Sequence, residues 1–267
     1  MSFAQAVVSG TVAAAVDTAA FSALFLGLNV LVGLVSARVS PTYRALPDLV
    51  EQTDWTAAWV SIFHATWSSS LTVPMFFGAA RFAGQWGLDD AMPPDATLAA
   101  RLFFAFHLAD FPIVVLIVLR ATTRKARLEG WVYMVHHSLV VAVWGGVFLA
   151  GRCAPFALVG MVCELTSVFV NVRKLLHLTG RGSGALYVLN GIVLLLAWYA
   201  TRVAAYFGFG VLLVWKHAAP LRARGLEGAL TVGSWAVGGA LQLQWTYRLT
   251  LGAIRLFTGK TPKSKAR

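Results

Sequence analysis

Seven stretches of this chain are apolar runs of membrane-spanning length, and that pattern leaves few folds open. They fall at roughly 18 to 37, 56 to 82, 98 to 120, 131 to 150, 154 to 176, 185 to 215 and 228 to 257. Each approaches or exceeds the ~20 residues an α-helix needs to cross a hydrocarbon core. In lipid the backbone must satisfy its own hydrogen bonds, and runs of this length do so as helices. The expectation is an all-α polytopic membrane protein of about seven transmembrane helices with no separate soluble domain. Composition agrees: 58% of the 267 residues are hydrophobic and 12% charged, about half the charge a soluble domain carries. The connections hold Ser40-Pro41, Pro47, Pro93-Pro94, Gly130, Gly180 to Gly184 and Pro220, residues that end or turn helices. The sixth run is long, and Gly208 and Gly210 mark where it would divide if it were two helices.

Basic residues set an orientation. The formal charge is +11, and under seven alternating spans fourteen Lys and Arg fall on one side against five on the other. The positive-inside rule then puts the C-terminus in the cytosol and the N-terminus outside or in a lumen. Met1 to Ala20 has no basic leader and contains Asp17, so it reads as a retained helix rather than a signal peptide. The tail Lys263-Ser264-Lys265-Ala266-Arg267 resembles a dilysine signal for retrieval to the endoplasmic reticulum; the alternative is a basic tail lying on headgroups. No basic-aromatic module for nucleic acid is present. Cys153 and Cys163 sit ten residues apart on one expected helix, about 15 Å, so both should be free thiols.

Against this apolar background, ionisable side chains at bilayer depth are expensive, roughly 2.5 to 3.5 kcal/mol for a carboxylate on insertion scales, and need a buried partner or a function. His136 and His137 open the fourth run and diverge by about 100° on a helix, so only one faces a cavity squarely. Histidine suits proton or acyl transfer near neutral pH. Glu164, Ser167, Asn171 and Lys174 follow at i, i+3, i+7 and i+10 and share one helical face, either lining an interior or linking helices; Arg173 stands beside them. His107 and Asp110 lie three apart in the third run, and Arg202 in the sixth is the expected counter-ion to Asp110 or Glu164. His64, Asn190, Gln242, Gln244 and Arg248 are further interior candidates. The chain has no GxSxG elbow, HExxH pair, desaturase histidine boxes, phosphate loop, or deep lysine in its last run for retinal. Neither a metal site nor a cofactor is expected.

These residues, taken in order, carry a resemblance: Asp54-Trp55 through Ser61-Ile62-Phe63-His64-Ala65, His107-Leu108-Ala109-Asp110, Met134-Val135-His136-His137, Glu164 through Arg173, Asn190-Gly191 and Arg202. The chain resembles the TLC-domain family (TRAM, LAG1 and CLN8 homology), and within it the small TLC domain-containing proteins more than ceramide synthases. The resemblance implies six helices in a ring around a lipid-accessible cavity, preceded by an N-terminal helix. It divides the chain into a first helix and lumenal N-terminus at 1–40, a TLC domain at 41–258 and a basic cytosolic tail at 259–267. Laid on the ceramide synthase motif without gaps, His136, His137 and one acid, Glu164, remain, while Cys163 and Ser167 replace a histidine and a second acid. The function implied is the binding of acyl lipids and control of membrane lipid composition, in the endoplasmic reticulum. The alternative is a ceramide-synthase-like, acyl-CoA-dependent N-acyltransferase of sphingolipid metabolism, with acyl-CoA as substrate, His136 or His137 at the acyl carbon and Glu164 assisting. His107, Asp110, Ser167, Asn171, Arg173, Asn190 and Arg202 are then lipid-binding candidates. The partner is a membrane lipid or fatty acyl chain, and the oligomeric state stays open.

Overall fold

The computed structural model describes residues 3–78, 87–88, 94–121, 123–144 and 153–258. The basic tail and the far ends of the second and fourth predicted runs lie outside the described residues. All regular structure among those described is helical. Helix α1 spans Phe3–Val39, a one-turn α2 Pro41–Arg44, α3 Leu49–Gly78 and α4 Pro94–Arg120. Helix α5 covers Arg124–Leu139 and continues as a π-helical turn, Val140–Trp144. Helices α6 (Ala154–Val162) and α7 (Leu165–Leu178) follow, then α8 (Ala185–Trp198), a π-helical stretch Tyr199–Phe209 and α9 (Gly210–Lys216). The short α10 (Ala218–Ala223) turns the chain into α11, Leu226–Phe257. Local chemistry starts these helices where the sequence suggests. Ser40 Oγ accepts from the Tyr43 amide with Pro41 in the first turn, and Asp48 Oδ1 accepts from the Glu51 amide, both satisfying amides that have no partner inside a helix.

Each of the seven predicted runs, so far as it is described, is helical, the fifth apart from a turn at Cys163–Glu164. Four helices among the described residues are long and apolar enough to cross a membrane: Ala15–Val39, Pro94–Arg120, Pro155–Leu178 and Ala185–Lys216. Polarity is arranged for lipid. Leu119, Leu196, Trp215 and Leu31 are exposed, Leu119 by 76%, while His64, Ser68, Thr72, His107, His137, Glu164, Thr166, Asn190, Thr201, Arg202 and Gln242 are buried. An exposed apolar shell around a polar interior is the distribution a bilayer selects.

Pairs of contacting residues give the directions of packing. Asp17 ion-pairs with Arg101, Ser22 Oγ donates to the Ala105 carbonyl and Phe25 meets Phe106 edge-on, so α1 runs parallel to α4. Helix α3 runs antiparallel to α7 through Asp54–Lys174, Ser61–Asn171 and His64–Glu164. Helix α4 is antiparallel to α5 through Asp110–His137, and α7 to α8 through Phe169–Asn190 and Tyr187–Arg173. The segment from α8 through the π stretch is antiparallel to α11, through Trp198–Thr246, Arg202–Gln242 and Tyr206–Trp235. Helix α11 returns antiparallel to α5, with Glu129 against Arg248 and His136 against Trp245. Helices α3 and α4 also pack together.

One open point of the backbone closes and one expectation changes. The sixth run does not divide at Gly208 and Gly210; it is one helix from Ala185 to Lys216, wound as π between Tyr199 and Phe209. Gly210 is there for contact rather than for a break, since a Cβ on it would meet the Trp235 ring at 2.3 to 2.6 Å. The fifth run is interrupted instead at Cys163–Glu164, where the two amides donate to the carbonyls of Gly160 and Met161, 3.1 and 3.0 Å away and three residues back. Cys153 and Cys163, at the two ends of α6, are both buried free thiols.

Candidate functional site: a histidine centre among the helices

Every departure from regular helix just described borders one cluster of polar side chains. The π turn at Val140–Trp144 follows His137, the interruption presents Glu164, and the long π stretch carries Thr201 and Arg202. Such departures free backbone groups and re-aim side chains, and they concentrate at functional positions.

Four histidines meet here. His107 lies 5.0 Å from His137, 5.6 Å from His136 and 6.1 Å from His64, ring centre to ring centre. His137 is held at both nitrogens: Nδ1 is 2.9 Å from the Tyr133 carbonyl and Nε2 is 2.9 Å from Asp110 Oδ2. A neutral imidazole donates only one hydrogen bond, so this geometry is complete with an imidazolium facing a carboxylate, or with the shared proton on Asp110. In either case no nitrogen of His137 is left for a third group. His107 Nδ1 donates to the Phe103 carbonyl at 2.7 Å, leaving Nε2 directed elsewhere. His64 stacks on Phe106 at 4.1 Å and shares a proton with Ser68 Oγ through Nε2, 3.1 Å apart. Its Nδ1 is buried without a hydrogen-bond partner, since Glu164 Oε2 stands off at 4.0 Å. His136 differs from its neighbour: among the described residues it makes ring contacts with His107, His137 and Trp245 and no hydrogen bond.

Arg202 closes another side of the cluster. Its Nε donates to Thr166 Oγ1 at 2.6 Å and Nη1 to Gln242 Oε1 at 2.9 Å, while the guanidinium lies 4.5 Å over Trp198 and 5.8 Å from Trp245. The expectation that Arg202 is the counter-ion of Asp110 or Glu164 is therefore corrected. Asp110 pairs with His137, and Arg202 is held by neutral acceptors and aromatic faces, within longer electrostatic reach of Glu164. Among the described residues no three His, Cys, Asp or Glu converge as metal ligands.

The remaining predicted residues divide. Ser167 sits beside the Glu164 carboxylate. Asn171 donates to Ser61 Oγ and to the Ser167 carbonyl at 2.9 and 2.8 Å, Asn190 to the Phe169 carbonyl at 2.9 Å, and Arg173 to the Tyr187 carbonyl while lying 3.7 Å over its ring. These three connect helices and stand apart from the histidines. Residues that the sequence did not single out for a role also belong to the centre. They are Thr166, Trp198 and Trp245, with His64 and Gln242 more central than their ranking. The signal for Trp245 was its place three residues after Gln242 on an apolar helix.

A family model for the TLC domain matches residues 54–251, a segment that holds every member of this cluster. This chain belongs to the TLC-domain family. The match begins at Asp54, after α1 and α2. The TLC-domain chain is 28% identical over 121 residues to TLC domain-containing protein 1 of Gallus gallus, covering 45% of this chain and 46% of that protein. It is 25% identical over 258 residues to TLC domain-containing protein 4-A of Xenopus laevis, covering 91% and 93%, and 26% over 260 residues to TLC domain-containing protein 4 of Xenopus tropicalis, covering 91% and 92%. The chain thus spans about half the length of the chicken relative and nearly all of the two frog relatives.

Proposed function

We propose that this TLC-domain protein crosses the membrane seven times and binds an acyl lipid inside a ring of six helices, through which it influences membrane lipid composition. The ring reading is supported by the succession of neighbours α3, α4, α5, α11, α8, α7 and back to α3, each joined to the next by the contacts above, with α1 outside against α3 and α4. The alternating directions of those pairs fit seven crossings. One observation carries the binding reading. At the centre of an apolar molecule His64 Nδ1 is buried without a hydrogen-bond partner, and the half-buried His136 makes no hydrogen bond with any described residue. Buried polar groups in folded proteins are nearly all satisfied, and the ester, amide or acid oxygens of a lipid would satisfy these. Arg202, a buried cation without a paired carboxylate, suits an acidic or carbonyl end of the same ligand. The test is mass spectrometry of lipids that remain bound through purification in mild detergent. A stoichiometric acyl lipid is expected in the native protein and its absence from the His136→Ala variant; lipid-free native protein would end this reading.

A second reading, acyl transfer, draws on one feature, the contrast between a fully bonded His137 and a neighbouring His136 that makes no hydrogen bond with any described residue. His136 would then act on the acyl group while Asp110 and His137 position it. Glu164→Asp with Ser167→Asp restores a ceramide-synthase-like pair of acids. We expect no sphingoid-base N-acylation from it and a loss of stability from the added buried charge. Robust acyl transfer by the unmodified protein, lost on His136→Ala, would replace the binding reading with the enzymatic one.

The reading also places the chain in the endoplasmic reticulum membrane, on its dilysine-like tail, with a cytosolic C-terminus, on the basic asymmetry of its loops. Antibodies against terminal tags, applied after selective permeabilisation of the plasma membrane, should reach the C-terminal tag and miss the N-terminal one. Equal access to both ends would mean an even number of crossings.

A further inference from the structure

Where the N-terminal end of α5 meets the C-terminal end of α11, the two helices leave a cleft of about 380 Å³ lined by Leu128, Glu129, Arg248, Leu251 and Arg255. On α11, Arg248, Leu251 and Arg255 follow at i, i+3 and i+7 and share a face; on α5, Arg124 lies one turn before Leu128 on the same face. Opposed across the seam, the two faces form layers. The outermost holds Arg124 and Arg255, both exposed. Next come Leu128 and Leu251. Deeper, Glu129 and Arg248 pair at 3.3 Å, and below them Tyr133 meets Trp245 with ring centres 6.0 Å apart.

The charges do not balance. Glu129 is engaged by Arg248, Arg127 donates one Nη2 bond to the Ala121 carbonyl at 3.2 Å, and Arg124 and Arg255 make no hydrogen bond or ion pair with any described residue. The ends of the two helices therefore carry four arginines within two turns of one carboxylate, and Arg248 and Arg255 line the cleft with it. The leucines behind them continue toward the lipid-exposed flank of α5, where Trp131 and Val135 stand exposed. A phosphate fits the outer layer and a hydrocarbon chain fits the leucine layer, at the depth where a bilayer changes from headgroup to acyl chain.

We propose that this cleft is a binding site for the phosphate headgroup of an anionic membrane phospholipid, held by Arg255 of its lining and by Arg124 on the facing helix end, with its chain over Leu128 and Leu251. The proposal does not rest on what the histidine centre binds, because the Glu129–Arg248 pair and the Tyr133 ring stand between the cleft and the Trp245 edge of that centre.

Native mass spectrometry of the full-length protein, titrated with phosphatidylserine or phosphatidylcholine of matched chains, reads it directly. The native protein is expected to prefer phosphatidylserine, and each of Arg124 and Arg255 to contribute about fivefold to that preference. The double variant Arg124→Gln, Arg255→Gln should lose roughly twenty-five-fold. Both side chains are exposed, so its thermal midpoint should match the native one, and the paired Lys variants should keep the preference. Equal binding of the two lipids by the native protein, or an unchanged preference in the Gln double variant, would overturn the proposal. Glycerol 3-phosphate and inorganic phosphate form a further arm. Failure of either to displace the lipid supports a headgroup site, and displacement by either as effective as by whole lipid would reassign the cleft to a soluble anion.

Discussion

His137→Ala should lower the thermal midpoint of the detergent-solubilised protein sharply, whereas His136→Ala should leave the melting curve nearly unchanged and abolish lipid retention. The two residues are adjacent in sequence and opposite in circumstance. Removing the imidazole of His137 strips Asp110 of its only ion-pair partner among the described residues, with the side chains 7% and 14% exposed. Breaking a buried pair by deleting one member typically costs about 3 to 5 kcal/mol because a charge is left unpaired. His137→Gln, which restores one donor toward Asp110, should recover part of that loss. Among the described residues His136 contributes ring contacts alone, and their loss is worth about 1 kcal/mol. If both variants melted alike and both kept their lipid, the centre would be a structural polar core and nothing more.

Arg202 should show a separation of stability from binding. Arg202→Ala removes a guanidinium bonded to Thr166 and Gln242 and resting on Trp198, and opens a hole between two tryptophans. We expect a loss of about 2 to 4 kcal/mol. Arg202→Met fills most of that hole with apolar atoms. Exchanging a buried charge for a packed hydrophobe is often close to neutral for folding, so this variant should melt near the native protein. Both should lose the bound lipid if the cation faces a ligand. Retention of lipid by Arg202→Met, measured by the same mass spectrometry, would make Arg202 a purely architectural residue.

The positions of the helices were legible in the sequence because the membrane imposes them through length and apolarity, properties read along the chain. Ser40-Pro41 and the glycines near 180 to 184 punctuate the structure where expected. The polar face of Glu164, Ser167, Asn171 and Lys174 was legible as a stripe, but its residues reach different partners: a histidine centre at one end, Ser61 in the middle and Asp54 at the other. Sharing a face says which side chains point inward, not which neighbours they find. The pairing of Asp110 with His137, and hence the release of Arg202 to Thr166 and Gln242, depends on the order in which helices pack, which periodicity does not encode. The π-helical winding and the interruption at Cys163–Glu164 contain no proline and had no local signal; they are settled by contacts such as Trp235 on Gly210.

The winding of the sixth run bears on how this protein sits in membranes of different thickness. Its 32 residues would extend ~48 Å as an α-helix, against a hydrocarbon core of ~30 Å. The wider coil at Tyr199–Phe209 takes up residues in less height, and tilt absorbs more of the excess. Arg202 fixes the middle of this helix to α7 and α11, so the helix has no freedom to slide along its axis. Any mismatch with the surrounding bilayer must then be met at its ends, near Tyr187 and Trp215. The polar centre is thereby pinned at a set depth while the ends absorb the strain of a thicker or thinner membrane.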